Sequence, residues 1–218
     1  MERVVLSEEM NKIRREIAVM AARVEEDFGK ALAVLRSGGE ELAEEIKESG
    51  KIVDTLQLKI EDMAMVLIAT QQPVARDLRE LITVFKITAN LERIGDHGIH
   101  LVKAALRLSK QPPFRSVERI ERMVETAVLM LKEAISAYLS QDPQAARKAA
   151  ALDDKIDQEH KALTDEALAF IREQPHSVKA AARLLRLSGN MERLGDHITN
   201  ICEGIIYMIE GSHEELNA

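Results

Sequence analysis

The chain has 218 residues, of which 46% are hydrophobic and 31% charged, with a net charge of −7. That balance fits a globular chain long enough for two compact units, and it excludes both a disordered polypeptide and a general nucleic-acid binder, which would carry a basic face. Aromatic residues are 3% with no Trp, so the core must come from Leu, Ile, Val, Ala and nine Met, which suits helix-on-helix packing.

The spacing predicts a first helix from Ser7 to Arg36, with Ser7, Glu8 and Glu9 at its start and Ile13, Ile17, Met20 and Val24 recurring at the helical period. Ser37, Gly38 and Gly39 stop it. A second helix is predicted from Glu40 to Thr70, with Leu42, Ile46, Val53, Leu56 and Ile60 as its apolar stripe. Gly50 is expected to interrupt that helix, at a cost of about 1 kcal/mol relative to Ala. Gln71, Gln72 and Pro73 break the chain, because proline fixes φ and lacks the N–H. A third helix follows from Val74 to Ser109, and Lys110 to Pro113 is the clearest break in the sequence.

The second half repeats the plan. A fourth helix spans Ser116 to Ser140, with Ser116 and Arg119 near its start. Asp142 before Pro143 reads as a cap followed by a first-turn proline, opening a fifth helix that runs to Glu173. Gln174 and Pro175 break it, Ser177 can cap a sixth helix, Gly211 ends that helix after Glu210, and the last residues are expected to fray. There is no convincing strand signal. The expected fold is all-α, two tandem three-helix bundles of long antiparallel helices, residues 1–112 and 113–218, packed on each other or dimerised. Cys202 sits in an apolar run and reads as buried, and a single cysteine excludes an internal disulfide and a Cys-rich zinc site. Charged and apolar residues alternate from Met1, unlike a signal peptide, and no apolar run reaches membrane-spanning length, so a cytoplasmic protein without membrane insertion is expected.

The third and sixth predicted helices carry nearly the same eight residues, N-L-E-R-I-G-D-H from Asn90 to His97 and N-M-E-R-L-G-D-H from Asn190 to His197. Each places two carboxylates four residues apart, Glu92 with Asp96 and Glu192 with Asp196, on one helix face. Like charges at that spacing repel by roughly 0.2–0.5 kcal/mol per pair, so a cation or a bound metal must offset them. Asn200 and Glu203 extend the second stripe, and His100 extends the first. Asp54, Asp153, Asp154 and Asp157 on the preceding helices can approach these stripes. Converging carboxylates suit Mg, Mn, Ca or iron better than zinc. The rival reading is an ion-pair network using Arg76, Arg79, Arg93, Arg183 and Arg193. His97 and His197 point away from the carboxylates and read as packing or surface residues, and Gly95 and Gly195 read as close helix–helix contacts. Asp157 and His160 form one D-x-x-H pair, but Gly95 and Gly195 stand where a di-iron bundle would place histidines. No phosphate loop, nucleophile elbow or Cys/His dyad is present.

These residues resemble the PhoU family. The resemblance rests on Gln72 to Arg79, Leu91 to Asp96, Leu152-Asp153, Ile156-Asp157, Met191 to Asp196 and Asn200 to Glu203, and it extends from Ser7 to Gly211. It implies two similar three-helix bundles, commonly a homodimer, and a regulator rather than an enzyme. It implies partners as well, a phosphate ABC transporter ATPase and a sensor histidine kinase, with repression of phosphate-starvation genes when phosphate is plentiful. It implies metal on the acidic motifs, iron in a multinuclear cluster or another divalent metal such as Mn, Mg or Zn, with no organic cofactor. Glu92, Asp96, Glu192 and Asp196 match those motifs, flanked by Asp54, Asp153, Asp157 and Asn200. Two departures, Gly50 where the family often has an acid mirroring Asp153 and His100 opposite Asn200, predict a weaker or differently selective first site. The alternative class is a carboxylate-bridged metal store or oxidase.

Overall fold

The computed structural model describes residues 2–108, 117–174 and 178–217. Its helices are α1 (Glu2–Ser37), α2 (Glu40–Gln71), α3 (Ala75–Leu108), α4 (Val117–Ser140), α5 (Pro143–Ala150), α6 (Asp153–Glu173) and α7 (Val178–Glu210). No strand occurs among the described residues. Helices α1, α2 and α3 pack on one another, α4 to α7 form a second bundle of the same plan, and α3 and α1 of the first bundle lie against α7 and α4 of the second. The expected breaks at Lys110 to Pro113 and at Pro175, the bundle boundary at 112/113, and the starts at Ser116 and Ser177 lie outside the described residues. No helix among the described residues is long and apolar enough to cross a membrane.

The predicted stripes face the core. Ile13, Ile17, Met20 and Val24 on α1 and Ile46, Val53 and Ile60 on α2 are all buried, while Leu42 and Leu56 pack at its margin. Each such side chain contributes roughly 1.5–3 kcal/mol when removed from water. Cys202 is buried and free, and burial pushes its thiol up to about 12, so it stays protonated.

Three local expectations change. Helix α1 starts at Glu2, not Ser7, because Leu6 packs against the core and Met10 is buried, which extends the apolar stripe back past Ser7. Helix α2 continues unbroken through Gly50, where a Cβ would lie 2.8 Å from Ile99 Cδ1. The missing side chain therefore admits a close approach of α3 rather than ending a helix. The fifth predicted helix is divided at Ala151 and Leu152 into α5 and α6. Both residues keep right-handed helical angles there, and the Leu152 N–H closes a tight bond to the Ala149 carbonyl.

The turns follow sequence chemistry. Gly38 and Gly39 take φ of 74° and 138°, which glycine adopts without steric cost. Asp142 caps α5, its Oδ1 accepting from the N–H groups of Gln144 at 2.8 Å and Ala145 at 3.1 Å, with Pro143 in the first turn. Where α1, α3 and the end of α4 meet, buried Glu80 accepts from Arg14 Nε at 2.6 Å and Nη2 at 2.8 Å. Gln141 donates to Glu80 at 3.3 Å and accepts from Arg76 at 2.7 Å, which ties the two bundles together. Replacing Asp142 with Ala leaves two amide groups of α5 without their acceptor, and denaturant unfolding should show a loss of about 1 kcal/mol.

Candidate functional site

Helices α3 and α7 run antiparallel and carry the two repeated stretches past each other. Arg79 Nε donates to the Met208 carbonyl at 3.3 Å, and Thr83 Oγ1 to the Gly204 carbonyl at 3.4 Å. Further along, His197 Nδ1 meets Asn90 Oδ1 at 2.9 Å. The first and last residues of the motif thus pair across the seam, and the rings of His97 and His197 stand 5.5 Å apart. Burial pushes His97 down to about 4, helped by His197 and His100, and its Nδ1 has no protein partner. The sequence reads both histidines as packing or surface residues, and at the seam they pack.

The second repeat gathers acid from two helices. Helix α7 presents Glu192 and Asp196, and α6 presents Asp153 and Asp157. Burial raises Glu192, Asp157 and Asp153 alike, and their mutual repulsion together with Asp196 adds to it. Asp153 is 7% exposed and is pushed up to about 7. Its Oδ2 accepts from Thr199 Oγ1 at 3.2 Å, and its buried Oδ1 has no partner. A Cβ on Gly195 would come 1.9 Å from that Oδ1, so only glycine leaves room for the carboxylate there. Asp153, Asp154, Asp157 and Asp196 line one depression. Beside them His160 holds Ser188 Oγ at 2.7 Å through Nδ1.

The first repeat is built differently. Asp54 on α2 lies near Glu92 and Asp96 on α3. Burial raises Glu92, while Arg93 opposes the shift and the two aspartates add to it. Arg93 stands 3.2 Å from Glu92 and 3.4 Å from Asp96, so an exposed cation offsets the repulsion here. Val53 touches the Cβ position of Gly95 as Ile156 touches that of Gly195. Three residues earlier on the two helices, Gly50 answers Asp153, and Ile99 stands where the second repeat has Thr199. An apolar contact replaces the buried acid and its hydroxyl donor.

Other predicted site residues lie apart. His100 is exposed, with its ring 6.2 Å from that of His97. Asn200 is exposed and lines a separate groove with Lys86, Asn90 and Glu203. Glu203 Oε1 accepts the Leu216 N–H at 2.8 Å. Among the described residues, no three His, Cys, Asp or Glu side chains converge tightly enough to hold one metal ion. A cation would have to draw Asp157, Glu192 and Asp196 inward. The donor set in the second repeat fits a hard divalent ion, with the orphaned Asp153 oxygen as an additional acceptor, and the first repeat fits one less well. The sequence does not point to Thr199, and the residues beyond Gly211, expected to fray, instead reach this acid because Leu216 and Asn217 find partners on α7. The contrast of Thr199 with Ile99 between the repeats was the available signal for the first.

Comparison with known proteins follows the same repeat. A family model described as PhoU domain matches residues 17–105 and 120–205. The chain is 32% identical over 218 residues to a phosphate-specific transport system accessory protein PhoU homolog of Clostridium acetobutylicum, covering 100% of both chains. It is 32% identical over 209 residues to the homolog of the same name in Rhizobium meliloti, covering 95% of this chain and 88% of that one. The crystal structure of PhoU from Pseudomonas aeruginosa superposes with a TM-score of 0.88 at 26% identity, covering 94% of this chain and 99% of that one. The phosphate transport system regulatory protein PhoU from Streptococcus pneumoniae gives a TM-score of 0.88 at 29% identity, covering 96% and 99%.

Two substitutions test the asymmetry. Gly195→Ala should cost roughly 1–3 kcal/mol by driving Asp153 from its place, whereas Gly95→Ala, whose Cβ meets only Val53 at 3.7 Å and Val24 at 3.8 Å, should be tolerated on denaturant unfolding. Asp153 has a folded pKa raised above its unfolded value, so its ionisation disfavours the fold as pH rises from about 4 to 7. Asp153→Asn should therefore match the native chain near pH 4 and exceed it by at least about 1 kcal/mol at pH 8, in chelator-treated protein.

Proposed function

The chain belongs to the PhoU family, and from that premise we propose that it is a cytoplasmic, non-enzymatic regulator of phosphate transport. It links a phosphate ABC transporter ATPase to a sensor histidine kinase as a homodimer, and represses phosphate-starvation genes when phosphate is abundant. The observation that carries this reading is the family match over both bundles, each including one copy of the acidic stretch. The names of the relatives support the link to phosphate transport.

The acidic faces are cation sites in this reading. In the second repeat Asp153, Asp157, Glu192 and Asp196 hold iron, singly or in a multinuclear cluster, or Mn, Mg or Zn. The support is a concentration of acid in which, among the described residues, none of the four forms a close ion pair with a lysine or arginine, and only His160 and Arg193 ease the repulsion. A bound divalent ion supplies positive charge there and relieves the repulsion. Asp153 lends a buried oxygen, Thr199 orients it, and Gly195 leaves the space. In the first repeat Arg93 already supplies a positive charge, so Asp54, Glu92 and Asp96 bind a cation more weakly.

The experiment is genetic and analytical together. Deleting the gene in its host should raise expression of phosphate-starvation genes in phosphate-rich medium, with the native gene restoring repression. Unchanged expression after deletion would defeat the regulatory reading. Elemental analysis should find stoichiometric metal in native protein and less of it in an Asp157→Asn/Glu192→Gln/Asp196→Asn variant that keeps its helical signal. Metal-free native protein, still empty after incubation with iron or manganese, would defeat the cation reading alone.

A further inference from the structure

Beyond Gly211 the chain reverses and runs back along α7. Gly211 takes φ 77°, and its N–H closes on the Tyr207 carbonyl at 2.9 Å. The His213 ring stacks on Tyr207 with centroids 4.3 Å apart and planes 11° from parallel. Leu216 donates its N–H to Glu203 and packs its side chain against the core. Asn217 Nδ2 then donates to Asp196 Oδ1 at 2.9 Å. The segment passes successive turns of α7 and ends on the motif acid.

Among the described residues, Arg147 is the cation that pairs with this segment. Arg147 on α5 holds Glu214 at 2.6 Å and also Glu210 at 2.7 Å. Glu214 and Glu215 share a groove with Glu203 and Lys86, and Arg147 offsets the charge of Glu214 there. Arg147, Leu216 and Asn217 complete the depression lined by Asp153, Asp154, Asp157 and Asp196. At the back of that depression Asp153 tucks its buried, unpartnered Oδ1 against Gly195.

We infer that residues 212–217 form an internal plug over the second acidic site, with the Asn217 amide on Asp196 standing where a divalent cation would bind. An amide N–H occupies one carboxylate oxygen without neutralising its charge. Asp157 and Asp196 go on repelling one another beside it. A dication removes that repulsion and claims the same Asp196 oxygen, so cation and plug compete, and loading the site frees the tail. The inference rests on the cation reading above, and it assigns the tail as the site's built-in competitor.

The test uses the full chain carrying Glu92→Gln, which suppresses the first-repeat site, with Mn2+ as the probe. Free Mn2+ is followed by electron paramagnetic resonance in this parent and in its Asn217→Ala and Glu214→Gln derivatives. Each derivative should bind Mn2+ about threefold to tenfold more tightly, the range expected for losing one competing hydrogen bond or its anchor. Saturating Mn2+ should also speed cleavage of the parent after Glu215 by a glutamate-specific protease, and Asp196→Asn should abolish that acceleration. Unchanged Mn2+ affinity in both derivatives, or cleavage that Mn2+ does not accelerate, overturns the plug and leaves the cation site standing. No Mn2+ binding in any of these proteins overturns the cation reading and the plug with it.

Discussion

Where α3 crosses α7, Thr83 reaches the Gly204 carbonyl and Asn90 reaches His197, and most of the architecture follows from that seam. A three-helix bundle of long helices leaves a broad face open. Each bundle here closes that face with the motif helix of the other. The approach is close, since a Cβ at Gly204 would stand 3.3 Å from the Thr83 methyl. A half-buried polar contact also favours this register, because sliding one helix by a turn would part His197 from Asn90. The seam turns the repeated helices so that their acids face outward toward α2 and α6, which is why the two acidic sites sit on opposite flanks of one contact.

Much of this was legible in the sequence. Apolar residues at three- and four-residue spacing identified the helices, because burial of one face dominates helical stability in a packed bundle. Asp142 before Pro143, and Gly38 with Gly39, marked turns through local chemistry that needs no tertiary partner. Ser7 misled because a good capping residue does not end a helix when Leu6 and Met10 still find core beyond it. Gly50 misled for a related reason. Its helical cost is real, but the cost is set against a close approach of α3 that periodicity alone cannot show.

The sites divide along the same line. Spacing put Glu92 with Asp96 and Glu192 with Asp196 on common faces, since helical geometry is local. It also put Asp54 and Asp157 within reach, because a short turn forces neighbouring helices to pack antiparallel. Which acids lack a cation depended on side-chain directions across helices, and there the repeats part. Arg93 sits between its acids, whereas Asp153 is buried beside Gly195 with one oxygen unmet. Glu203 belonged to the motif stripe by periodicity, yet it faces the returning tail because Leu216 supplies a backbone N–H to it.

The Gly50–Ile99 contact has a bearing on how the two repeats differ. Giving the first bundle the second bundle's buried acid takes two changes, Gly50→Asp and Ile99→Thr. The first alone drives a carboxylate into a methyl group already 2.8 Å from the Cβ position and supplies no hydroxyl to receive it. The second alone leaves the hydroxyl to bond back to its own helix, as Thr55 and Thr70 do, and removes the methyl that packs over Gly50. Each single step loses packing or leaves an acid without its hydroxyl donor, and the pair works best when both positions match. Positions 50 and 99 are therefore coupled across α2 and α3, and a change at one alters what the other can accept.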